Sequence, residues 1–202
     1  WRRYTGATPI LRDEKWQHLR MAAATTTSVT FTGEVVEVGP VLLVRLPADA
    51  SAALPSRGQV AVTGTFAGKK LATVVEPDGR RGHWIRVTPA LKRAAKVKPG
   101  DDVEVVLDVA PEWPEPQVPD DLAGALAEAP PEIQELWDDI TPMARWEWVR
   151  WVGATANPGT RAKRVDVTIS KMEHGKRRPC CFDLSSCTDP AVSRSGKLID
   201  PA

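Results

Sequence analysis

From Val29 the chain alternates apolar and polar residues, reading VTFTGEVVEV over 29–38, the period of a half-buried strand. Gly39-Pro40 interrupts the alternation, and VLLVRL resumes it over 41–46. GQVAVTGTF (58–66) and KKLATVV (69–75) predict a hairpin, with Gly68 supplying the positive φ that a tight turn needs. Pro77-Asp78-Gly79 marks the next turn, before a strand GHWIRV (82–87). Thr88-Pro89 is a helix start, with Thr as N-cap and Pro at the first helical position, for the short helix ALKRAAKV. Pro99-Gly100-Asp101 ends that helix, and DVEVVLDV (102–109) is the last strand. Six short strands and one short helix are too few for a two-sheet sandwich. A closed or partly open barrel removes the exposed edges and suits about 85 residues.

Across APEWPEPQVPDD (110–121), with four prolines, the period changes. Such a stretch is stiff and extended and predicts a domain boundary. Beyond it apolar residues recur every three or four positions. DDLAGALAEA, PEIQELWDDI, MARWEWVRWVGAT and TRAKRVDVTISKM predict four helices, with Thr141-Pro142 and Asn157-Pro158-Gly159 at the later boundaries. Trp146, Trp148 and Trp151 crowd the third helix, and a core this small cannot take every ring. At least one is expected at a seam with the barrel or a partner. Arg161 and Arg164 lie in the first turns of the fourth helix, where positive charge opposes the helix dipole. Either a bound anion or a carboxylate from a neighbouring helix (Asp138, Asp139 or Glu147) resolves that conflict.

These patterns divide the chain into residues 1–27, disordered or an upstream extension ahead of MAAATTTSVTF; a barrel over 28–110; a linker over 111–120; a helical domain over 121–175; and a tail over 176–202. A short helix LRDEKWQHLR is the alternative for the first segment. The net charge of +1 gives the whole molecule no electrostatic case for nucleic acid or an anionic membrane. Lys69-Lys70 and Arg80-Arg81 fall at hairpin ends, where solvated charge is expected. No apolar run reaches the length of a membrane span, no secretory signal is visible, and the expected compartment is the cytoplasm.

All three cysteines fall in the tail stretch RRPCCFDLSSCTDP. Cys180, Cys181 and Cys187 with His174 offer four zinc ligands by type, although adjacent cysteines chelate one ion poorly. Neighbouring Lys176, Arg177 and Arg178 could instead activate a thiol. In the third reading the tail simply docks, its cysteines acting as small apolar residues and Phe182 as anchor. No Ser-His-Asp set, P-loop or dinucleotide fingerprint can be assembled. The chemistry therefore reads as non-enzymatic, with no cofactor beyond a possible zinc.

The stretch GRRGHWIRVTPALKRAAKVKPGDDVEVVL, with its Pro-Gly-Asp turn between helix and last strand, resembles a bacterial domain of unknown function, family 1905. VPDDLAGALAEAPPEIQELWDDITPMARWEWVRWVGATANPGTRAKRV resembles the YdeI or OmpD-associated, bacteriocin-protection family. The likeness rests on Pro-Asp-Asp-Leu, Ala125-Leu126, the Thr-Pro before the third helix, and Thr160-Arg161 with Arg164. The tail also looks like the ending of a subset of such proteins. The resemblance implies an α+β multidomain chain: a small barrel of the double-split, AbrB/MazE-like class, then a helical domain. That class includes DNA-binding dimers, but a strongly basic face is lacking here. The family name implies stress or antimicrobial-peptide tolerance and no reaction. The expected function is binding of a partner protein or small anionic ligand at the interdomain seam, lined by Trp84, Trp146, Trp148 and Trp151 with Arg161 and Arg164. The alternatives are thiol or metal chemistry in the tail and nucleic-acid binding by a barrel dimer.

Overall fold

The computed structural model describes residues 28–180 and 183–201. The readings of residues 1–27, Cys181 and Phe182 lie outside the described residues. Six strands close into an antiparallel barrel: β1 (Ser28–Val38), β2 (Val41–Arg45), β3 (Val60–Phe66), β4 (Lys69–Pro77), β5 (His83–Arg86) and β6 (Asp102–Val109). Their order around the barrel is β1-β2-β5-β4-β3-β6, so every edge is paired. On each strand one alternating set of side chains faces inward. Val29, Phe31, Val35, Val44, Val62, Phe66, Val75, Ile85, Val103, Val105 and Leu107 form one core. Gly64 is fixed by a close approach between β3 and β6: a Cβ there would lie 1.9 Å from the Val106 carbonyl oxygen. At the β3–β4 turn both Ala67 and Gly68 take positive φ, so the alanine shares the left-handed role expected of the glycine alone.

Two short helices decorate the barrel. α1 (Ala48–Ala52), five residues with no periodic signature, is absent from the sequence reading. Its Ser51 hydroxyl meets His83 Nδ1 at 2.6 Å, and His83 Nε2 donates to the Gly58 carbonyl at 2.9 Å. The ring is thus the neutral tautomer protonated at Nε2, and burial holds its pKa below the ordinary histidine value. α2 (Pro89–Ala95) is capped as predicted, the Thr88 hydroxyl accepting from the Leu91 amide. It ends at Lys96, in the left-handed conformation, one turn before the Pro-Gly-Asp expected to stop it.

After the linker come α3 (Asp120–Glu128), α4 (Pro131–Asp139), α5 (Pro142–Gly153) and α6 (Pro158–Glu173). Thr141 and Asn157 cap the last two through their side chains. Leu122, Leu126, Ile133, Trp137, Ile140, Trp148, Val152, Val165 and Met172 make the second core. The linker is pinned to α5: Glu115 takes two hydrogen bonds from Arg145, and the Pro114 carbonyl accepts from Trp146 Nε1 at 2.7 Å.

The tail returns to the barrel. A two-stranded hairpin, β7 (Ser193–Arg194) and β8 (Lys197–Leu198), lies over the outer face of β1, β2 and β5. Cys187, Val192 and Leu198 bury Val38, Val41, Leu43 and Trp84 in a third core. The backbones touch: a Cβ on Gly79, at φ +72°, would sit 1.9 Å from the Gly196 carbonyl oxygen. Arg45 and Arg80 reach Asp200, and Arg86 pairs with Asp189. The tail thus docks on the barrel through Val192 and Leu198, with Cys187 packed as a small apolar residue as expected and Cys180 left exposed against that expectation.

Candidate functional site

β3 contains three successive buried residues, Val60, Ala61 and Val62. A strand buried on both faces must have something outside the barrel. At Ala61 that something is a cavity of about 300 Å³, bounded by the loop before β3, the end of β6, the linker, α5 and the tail. Its apolar wall is Val60, Ala61, Val109, Trp113, Met143 and Leu184. Met143 and Glu147 lie four residues apart on α5 and so share one helix face. Glu147 is only 5% exposed, and its Oε2 is 3.1 Å from Nε of Arg178, a half-exposed tail residue. Burial pushes the Glu147 carboxyl above its ordinary pKa, while Arg178 and Arg150 pull it back.

A second, smaller and more polar cavity of about 230 Å³ lies beside the tail, lined by Glu76, Trp84, Arg86, Arg150, Cys187 and Asp189 among others. Arg150 of α5 is its centre. Its Nε lies 3.3 Å from Glu76 of β4. Its guanidinium also donates to the tail carbonyls of Leu184, at 3.1 Å, and Ser186. Three separate segments thus converge on one buried cation. Burial raises the Glu76 pKa, opposed mainly by Arg150.

The sequence-predicted residues are scattered over four places. Trp84 is under the tail, its Nε1 donating to the Pro77 carbonyl and Arg86 stacked on its ring at 5.5 Å. Trp146 holds the linker. Trp148 is fully buried in the helical core and meets Trp151 edge-on, centroids 5.9 Å apart, with Arg164 5.5 Å from the Trp151 ring centre. Arg164 also donates to the Trp151 carbonyl. Arg161 forms a two-pronged pair with Asp121 at 2.6 and 2.9 Å. The carboxylate that answers the charge at the α6 N-terminus therefore comes from α3. Asp139 and Glu147, two of the expected partners, instead pair with Arg177 and Arg178. None of the six lines the cavity at Ala61, whereas Arg161 lines a separate, wider and more open hollow of about 550 Å³ between α3 and α6. Of the Ala61 cavity's own residues, Trp113, Met143 and Leu184 escaped sequence reasoning, while Glu147 and Arg178 were assigned other roles, as a partner for the α6 arginines and as a cation beside the tail thiols. An aromatic in a proline-rich linker was the available signal, since such a ring needs a surface to cover.

The two described tail thiols differ in environment. Cys180 is exposed, with Lys171 Nζ donating to its sulfur at 2.7 Å. Cys187 is buried, and burial pushes its thiol up to about 11. His174 Nδ1 donates to the Ser170 carbonyl. Among the described residues, no three of His, Cys, Asp and Glu are grouped to hold a metal ion. Cys187 should resist alkylation under native conditions while Cys180 reacts, as peptide mapping after a short iodoacetamide pulse would read. Equal labelling of the two would contradict the third core.

A closed barrel tied through a pinned linker to a four-helix unit, with a ligand-sized cavity between them, defines a two-part architecture with its candidate site at the seam. Residues 31–107 match the family described as a domain of unknown function (DUF1905), and residues 115–175 match the family described as bacteriocin-protection, YdeI or OmpD-associated. The first match falls on the barrel and the second on the helices that follow it. No curated protein matches it. Among the described residues no helix is long and apolar enough to cross a membrane.

Proposed function

We propose that this protein is a non-enzymatic binding protein in a bacterial stress-tolerance setting, taking a small ligand in the cavity between barrel, linker, α5 and tail. The observation that carries the reading is the cavity itself, apolar over Val60, Ala61, Val109, Trp113, Met143 and Leu184 and ending on a buried charge at Glu147. An apolar body with few polar groups is the usual make-up of a small-molecule site, and about 300 Å³ is its lower usual size. The setting follows from the bacteriocin-protection description of the helical domain's family. The anion expected at Arg161 and Arg164 would have to displace Asp121 and the Trp151 carbonyl, which already answer those side chains.

A thermal-shift screen of small amphiphilic compounds on the full chain tests this. Compounds that raise the melting temperature should lose their effect in Ala61→Leu, which fills the cavity. Hits that act equally on Ala61→Leu would move the site elsewhere.

A further inference from the structure

The cavity has one charge that cannot leave. Glu147 sits mid-helix on α5, 5% exposed, and is part of the cavity wall. Its ion-pair partner, Arg178, belongs to the tail, and the Arg178 side chain is 48% exposed. An arginine on the surface can turn to water at little cost, whereas a buried carboxylate that loses its cation is left with a large desolvation penalty. The fixed charge therefore sets the sign of what the site accepts. Elsewhere in the lining Trp113 supplies an indole and Met143 a thioether, groups that favour an alkylammonium or aromatic ammonium over a neutral group. The neighbouring polar groups of the wall already have partners, the Ser56 hydroxyl accepting from the Gly58 amide at 3.0 Å. Gln59 donates to Glu76 at 2.6 Å, and the Gly58 carbonyl accepts from His83.

We infer that the cavity selects a small organic cation, an apolar body carrying an amine, whose ammonium pairs with Glu147 in place of Arg178. This rests on the cavity reading above and gives it a charge. It reverses the sign expected from Arg161 and Arg164. The exchange of one cation for another makes Arg178 a competing internal ligand. Its removal should strengthen binding, an effect that a purely structural ion pair would not produce. Arg150, on the same helix, also faces Glu147 electrostatically, but it is committed to Glu76 and two tail carbonyls and stays in place.

Three probes of one shape separate the ideas: 2-phenylethylamine, 2-phenylethanol and 3-phenylpropionate, measured by isothermal titration on the full chain at pH 7.5. The amine should bind at least about tenfold more tightly than the alcohol, the worth of one charge-assisted hydrogen bond, with the acid weakest. Glu147→Gln should erase the amine's advantage, and Arg178→Ala should raise amine affinity several-fold. Amine affinity should also fall as the medium is acidified and Glu147 takes up a proton. If the alcohol or the acid binds as well as the amine, and Ala61→Leu blocks them, the cation assignment is wrong and the cavity reading stands. If no probe binds, or binding persists in Ala61→Leu, the cavity reading itself fails. Should Glu147→Gln not fold, Arg178→Ala alone decides, and unchanged or weaker amine binding overturns the inference.

Discussion

Truncation after Arg178 should lower the melting temperature by at least about 10 °C and shift tryptophan emission to the red. The tail contributes Cys187, Val192 and Leu198 to a core whose other half is the barrel's outer face. Without it Leu43 and Trp84, 0% and 1% exposed, face water together with Val38 and Val41. Each fully buried side chain of this size is worth about 1.5–3 kcal/mol. For a chain of this length each kcal/mol moves the midpoint by about 2–4 °C. The surface ion pairs of Arg45 and Arg80 with Asp200 add little, because their partners are exposed. Trp84→Phe in the truncated chain should remove much of the red shift. A truncated chain that aggregates through the bared patch leaves Leu198→Ala as the test. That cavity-forming change should cost about 2–5 kcal/mol. An unchanged midpoint in both variants would mean that the tail merely rests on the barrel.

This tail also shows where the sequence stops speaking. The barrel strands were legible because alternation is local: Val29, Phe31 and Val35 announce their face within a few residues. The capped helices α2, α5 and α6 were legible for the same reason, since Thr88, Thr141 and Asn157 bond amides within their own first turn. Trp84 was not. It lies between His83 and Ile85, all three buried, because a segment more than one hundred residues later covers the outer face of β5. Val192 and Leu198 are too far apart, and too isolated among turn residues, to declare a face. The pairing of Arg161 was missed for a related reason. Charge balance pointed to a carboxylate, but only the packing of α3 against α6 shows that it is Asp121. The cavity was least legible, since Ala61, Trp113, Glu147 and Arg178 come from four segments with no shared period. Periodicity reports on neighbours in one element, and a site assembled across elements leaves no trace in it.

Arg150→Met should cost about 3–5 kcal/mol, more than any surface charge in the molecule, with the loss greatest at neutral pH. The side chain is 5% exposed and is the point where barrel, α5 and tail meet, through Glu76 and the carbonyls of Leu184 and Ser186. Met keeps much of the volume and removes the charge, so the cost measures an abandoned carboxylate more than a hole. The pH dependence follows from Glu76. Burial already holds its carboxyl above the ordinary 4.5 against the pull of Arg150. A carboxyl raised in the folded state destabilises that state as the pH climbs from the unfolded value through the folded one. Without Arg150 the folded value rises further, so the penalty grows over a wider span of pH. Below about pH 4.5 Glu76 is protonated in both states, and the variant then pays only for the lost bonds to the tail. Urea unfolding of both proteins at pH 4.5 and 7.5 should show the gap narrowing in acid. Glu76→Gln in the Arg150→Met background should recover part of the neutral-pH loss, since it removes the stranded charge. A gap independent of pH, with no recovery, would show that Arg150 acts through its tail carbonyls alone and that the barrel and helices are not tied by charge.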